Sequence, residues 1–163
     1  MSIRRVISLS VSLAVSLGFA VIATVSTSEG VRAATKKCLF ISSYHKGYAH
    51  ADQIEAGVRS TLKGHCELRQ FDMDTKRRSS APAKKKSALA AKAVIDSCKP
   101  DVVITADDNA VKYLIEPYYK NKKLPFVFCG LNWTAAEYGL PYTNATGMIE
   151  VAPVGVMLDR AAN

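Results

Sequence analysis

Apolar residues along this chain come in short runs that alternate with helical periodicity. Leu39-Phe40-Ile41 and Val102-Val103-Ile104 are continuous apolar runs, the pattern of a strand buried on both faces. The first run lies within a predicted strand over Lys37–Ser43. Pro125 to Cys129 is a third such run, and Glu67–Phe71 and Thr146–Val151 complete a set of five predicted strands. Between the first two strands, Ile54, Val58 and Leu62 repeat every four residues, so Ala51–Leu62 is predicted to be helical and to stop at Gly64. Lys84–Ser97 is a second predicted helix, with Leu89, Ala93 and Val94 facing inward. Ala110, Val111, Leu114 and Ile115 mark a third, ending near Pro117. Pro153 opens a short helical tail.

Strands that alternate with helices predict an α/β class: a doubly wound parallel sheet of order 2-1-3-4-5. Right-handed crossovers then bring every strand-to-helix turn to one edge of the sheet, the edge where open α/β sheets bind ligands. Four polar or aromatic segments fall there: Ser42-Ser43-Tyr44-His45, Asp72-Met73-Asp74, Asp107-Asp108-Asn109 and Asn132-Trp133. The candidate ligand-binding residues are therefore Ser43, Tyr44, Asp107, Asp108, Asn109, Asn132 and Trp133. Tyr44 and Trp133 offer flat apolar walls; Asn109 and Asn132 offer donors and acceptors. One of Asp107 and Asp108 is expected to cap the following helix, whose first N–H groups would favour an anionic ligand group.

The N-terminus changes the picture of where the protein works. Arg4-Arg5 precede an uncharged run from Val6 to Ser28, and Val31-Arg32-Ala33 presents small residues where a signal peptidase cuts. Residues 1–33 are read as a cleaved signal peptide and 34–163 as the exported domain, in a periplasmic location. The alternative is an uncleaved anchor, since the run is long enough to span a bilayer. Of the 22 basic and 14 acidic residues, Arg4, Arg5, Arg32 and Glu29 leave with the signal, so the exported part keeps 19 and 13, a net +6. Seven basic residues lie between Lys76 and Lys92, without interleaved aromatics. They are read as a solvated loop and helix face, with no nucleic-acid partner.

Export makes the four cysteines disulfide candidates. Cys38 and Cys66 begin neighbouring predicted strands, within bridging range of each other. Cys66–Cys98 is the alternative pairing, and Cys129, near the ligand edge, is expected to stay unpaired. No CxxC or Cys/His spacing suits a metal, and no phosphate-cradling glycine loop, GxSxG or HExxH is present. The expectation is a binding protein without a cofactor rather than an enzyme.

The segments ISSYHKGYAHADQIEAGVRSTL, FDMDTKRR, KPDVVITADDNAVKYLIEPYY, LPFVFCGLNW and NATGMIEVAPV cover nearly all of 37–157. Together they resemble the N-terminal lobe of the ABC-transporter substrate-binding family, which has the type I periplasmic-binding-protein fold. The resemblance implies a two-lobed exported protein that closes over a small organic ligand, such as an amino acid, and delivers it to the membrane permease of an ABC transporter. It also implies an alternative, since some relatives use the module as the extracytoplasmic sensing domain of a signalling system. Carried over position by position, Ser43, Tyr44, Asp107, Asn109, Asn132 and Trp133 fall where such proteins line their cleft. Relatives continue past the segment matching EVAPVGVMLDRA into a second lobe, whereas this sequence ends at Asn163. The region 34–163 is therefore expected to be the N-terminal lobe only, and to bind weakly by itself.

Overall fold

Five parallel strands form one sheet of order β2-β1-β3-β4-β5 in a computed structural model that describes residues 35–162. The reading of 1–33 as a signal peptide lies outside the described residues. The elements are β1 (Lys36–Ser42), α1 (Ala49–Leu62), β2 (Cys66–Asp72), α2 (Ala81–Cys98), β3 (Val102–Ala106), α3 (Asp108–Ala110), β4 (Phe126–Asn132), β5 (Ala145–Glu150) and α4 (Val154–Ala161). A π-helical segment, Val111–Tyr119, continues α3 without a break, and a 3₁₀ turn, Ala136–Tyr138, interrupts the loop before β5. This is the predicted α/β class, with the predicted strand order. Among the described residues no helix is long and apolar enough to cross a membrane.

The alternation of each strand divides the core in two. Leu39 and Ile41 of β1, Val103 of β3, and Phe126 and Phe128 of β4 point to the face covered by α2 and the π-helix. There they meet Ala88, Ala91, Ile95, Leu114 and Ile115. Cys38, Phe40, Ile104 and Ala106 point to the other face, against half-buried Ile54, Val58 and Leu62 of α1. Each large side chain buried this way contributes about 1.5–3 kcal/mol.

Three local departures from the sequence reading have physical causes. First, α2 starts at Ala81 rather than Lys84. Ser80 caps it by accepting from the Ala83 N–H at 3.4 Å, with a proline in the first turn. Second, its inward face is Ala88, Ala91 and Ile95, whereas Leu89 is 52% exposed and Ala93 is exposed. In an alanine-rich helix the apolar stripe is nearly uniform, and Ile95 is the side chain large enough to set the phase. Third, the helix after β3 runs through Pro117 instead of ending near it. Proline has no N–H to offer the Tyr113 carbonyl, and the wider π spacing moves that partner to the next residue.

β4 also runs further than predicted, to Asn132, because it carries a bulge between Phe128 and Leu131. Phe128 and Leu131 both reach the α2 face, so the strand's alternation shifts by one residue there. Gly130, at φ +65°, absorbs the distortion.

Candidate functional site

The C-terminal edge is held together by backbone bonds between successive strand ends. The Ser43 N–H donates to the Ala106 carbonyl (3.2 Å), the Asp107 N–H to Cys129 (2.9 Å) and the Trp133 N–H to Glu150 (2.9 Å). On the other side the Thr75 N–H donates to the Ser43 carbonyl at 2.9 Å. The end of β1 sits between β2 and β3, the topological switch point of this sheet. Helix α1 begins there, and its first turn brings His50 across to the end of β3.

Asp107 is the centre of the arrangement. Only 2% of it is exposed, and its backbone is held at φ +68°. One carboxylate oxygen, Oδ1, lies 3.1 Å from His50 Nε2; the other, Oδ2, is buried with no partner among the described residues. Burial pushes the Asp107 carboxyl up to about 6 against the pull of His50, and the nearby Asp108 and Glu150 carboxylates add to the rise. The Tyr44 hydroxyl is likewise raised, first by burial and then by Asp107 and Asp108, so the negative potential registers on an independent group.

Around Asp107 lies a cleft of about 260 Å³, lined by Tyr44, Tyr48, His50, Lys76, Asn132 and Glu150. The Tyr44 and Tyr48 rings meet edge-on, with centroids 5.3 Å apart. The Lys76 ammonium rests on both, 4.6 Å from the first ring centroid and 5.1 Å from the second. At His50 and Glu150 the cleft runs into a second hollow of about 430 Å³ beside Ile54, Gly130 and Ile149. A larger depression of about 670 Å³ lies between α2 and the π-helix, around Lys85, Tyr113 and Pro117. It is a shallow surface feature with no orphaned buried polar atom, so the cleft at the switch point is the better candidate.

The predicted site residues divide into three groups. Tyr44, Asp107 and Asn132 line the cleft. Ser43, Asp108 and Asn109 frame it with their side chains committed elsewhere. Ser43 is fully buried; its hydroxyl donates toward the Ala106 carbonyl (2.6 Å) and accepts from the Ala110 N–H (2.9 Å). It thus caps α3 from a neighbouring strand, a role expected of one of the aspartates, neither of which caps the helix with its side chain. That contact also takes up an N–H group expected to face a ligand anion. Asp108 accepts from Tyr138 Oη (3.0 Å) and from the backbone and side-chain amides of Asn132, clamping the loop after β4. Asn109 donates to Thr75 Oγ1 at 3.0 Å. Trp133 stands apart: it is at the same sheet edge, but 61% exposed, and is not a wall of the cleft.

Four lining residues were not singled out from the sequence. His50, Tyr48 and Lys76 lie in or beside segments read as loop, helix or solvated charge, and Glu150 ends β5. The available signal was topological: whatever follows β1 must face the end of β3 in a 2-1-3 sheet. At the opposite edge Cys38 and Cys66 are disulfide-bonded with Cα atoms 6.0 Å apart, and Cys98 and Cys129 are free. Burial raises the Cys129 thiol pKa. Among the described residues no cluster suits a metal ion.

No family model matches the chain, and no curated protein matches it. Among solved structures it is similar to an ABC domain in complex with L-Trp from Streptococcus pneumoniae, with a TM-score of 0.54 and 13% identity. The match covers 71% of this chain and 38% of that one, so the chain spans well under half the length of the structure it resembles. At that identity the likeness shows the fold alone, and the fold it shows is that of a binding protein.

Proposed function

We propose that this chain is an exported solute-binding lobe that takes up a small organic ligand at the C-terminal edge of its sheet and delivers it to the permease of an ABC importer without transforming it. The observation that carries the reading is the unpartnered Asp107 oxygen at the switch point, within a cleft of mixed aromatic and charged walls. A stability-driven fold does not keep a buried carboxylate half-satisfied, because an unpaired buried oxygen costs about 1–3 kcal/mol. A ligand donor relieves that cost only when bound. Three features support the reading: the fold shared with an L-Trp-bound domain, the disulfide, and the signal-like N-terminus.

The test has two parts. The tagged full-length chain should appear in the periplasmic fraction, shortened by about the length of the predicted signal. The purified exported form should show saturable changes at the amides of residues 43–48, 107–109 and 130–133 in an NMR titration with a small-metabolite library. Retention in the cytosol at full length would remove the transport role. Shifts confined to other surfaces would remove the site.

A further inference from the structure

The cleft carries charge of both signs on separate walls, and that separation specifies a ligand. We propose that the site is built for a small zwitterion, an α-amino acid, whose ammonium group pairs with Asp107 and whose carboxylate pairs with Lys76. The inference rests on the solute-binding reading and deepens it.

Three observations place the ammonium. Asp107 is 2% exposed, lines the cleft, and has one oxygen without a donor. A neutral hydroxyl donor would satisfy that oxygen equally well, but the surrounding charge favours a cation. Asp107, Asp108 and Glu150 together act on Tyr44 and on each other, and His50 is the one basic side chain bonded to Asp107. An ammonium group supplies both the missing donor and the missing positive charge, and charge-assisted hydrogen bonds are the stronger kind.

Lys76 defines the other wall. Among the described residues its ammonium has no carboxylate at ion-pair distance, whereas neighbouring Arg77 and Arg78 both pair with Asp74. It is instead held on the faces of Tyr44 and Tyr48, which fixes a long, flexible side chain over the cleft without neutralising it. An anchored, uncompensated cation at the mouth of a cleft is a carboxylate receptor. A neutral or purely anionic ligand would leave Asp107 unpaired, and a simple amine would leave Lys76 unpaired.

The test compares each of the twenty common L-amino acids with its N-acetyl derivative, which lacks the ammonium, and its amide, which lacks the carboxylate. Titration of the full exported chain by NMR reads affinities into the millimolar range. At least one amino acid should bind roughly 10–100-fold more tightly than either of its derivatives, the range for one charged hydrogen bond. Lys76→Met is an exposed substitution that leaves the fold intact; it should abolish the preference for acid over amide and spare the preference for free amine over N-acetyl. Asp107→Asn should do the reverse, with circular dichroism reporting whether it is folded. Equal binding of an amino acid and both derivatives would overturn the zwitterion assignment and leave the solute-binding reading standing. Binding of other metabolites at the cleft, with no amino acid among them, would do the same. No binding by any metabolite would remove the solute-binding reading, and this inference with it.

Discussion

The two edges of the sheet are built on opposite terms. At the N-terminal edge, Cys38 and Cys66 are covalently joined, and Asp101 accepts from the Lys37 N–H at 2.8 Å. At the C-terminal edge, three non-glycine residues that follow strands, Asp74, Asp107 and Trp133, all have positive φ. That edge also holds the half-satisfied Asp107 and its neighbouring carboxylates. Strain and unpaired charge gather where the loops must present side chains, and the staple sits where nothing is presented. The lesson is that one edge supplies the stability that the other spends on a pre-formed site. Each prediction below breaks one side of that contrast.

The largest effect belongs to the staple. The disulfide closes a loop with a sequence separation of 28, and loop-closure entropy for such a bridge is about 3.5 kcal/mol. Cys38→Ser combined with Cys66→Ser should lower the urea-unfolding free energy by about that amount. An unchanged midpoint would show that the N-terminal edge does not depend on the bond.

Asp107 should impose a pH dependence of the opposite sense to that of most carboxylates. Its folded value is about 6 against an ordinary 3.8, so in that window the native state holds a proton the unfolded chain has released. Stability from this group is therefore full below about pH 4 and is lost as pH rises through about 6, by about 3 kcal/mol in total at 1.36 kcal/mol per unit. Subtracting the pH profile of Asp107→Asn from that of the natural chain isolates the effect. A difference that is flat from about pH 4 to about pH 7 would mean that Asp107 is not a stored cost at this edge.

How much of this contrast was legible beforehand depended on the range of the interactions. Leu39–Ile41 and Val102–Ile104 announce buried strands because both their faces are covered, and the strand order follows from alternation with helices. The adjacent aspartates could not be told apart. Asp107 is turned inward to His50 by a left-handed backbone, while Asp108, one residue on, faces Asn132 and Tyr138. His50 was read as an isolated histidine because its partner is 57 residues away. Lys76 looked like one more charge in a basic loop, since its contacts with Tyr44 and Tyr48 exist only once β1 and β2 are paired. Pro117 followed a sound local rule, that proline ends helices, which the change to π spacing overrode.

Gly147 tests whether β5 belongs to the rigid part of the sheet. A Cβ built on it would lie 1.9 Å from the Phe128 carbonyl oxygen, a backbone atom that cannot yield without opening the β4–β5 ladder. Gly147→Ala should cost about 2 kcal/mol and speed amide exchange in β5 more than in β1 or β3. Uniform exchange across the sheet would show that β5 opens only with the whole domain.

The smallest effect should come from Gly130, where the strain of the ligand edge enters the sheet itself. It has φ +65°, in the bulge, and a Cβ there would lie 3.4 Å from Asp107 Oδ1 and 3.6 Å from Ile54 Cδ1. Those contacts are tight to ordinary, so the backbone conformation, not a clash, dominates the cost. Gly130→Ala should lose about 1 kcal/mol. Gly130→Asn should lose less, because asparagine tolerates the left-handed region. If alanine and asparagine cost the same, the penalty comes from crowding of Asp107 instead. In that case both variants should also shift the titration of the His50 ring by NMR, since its partner would have moved.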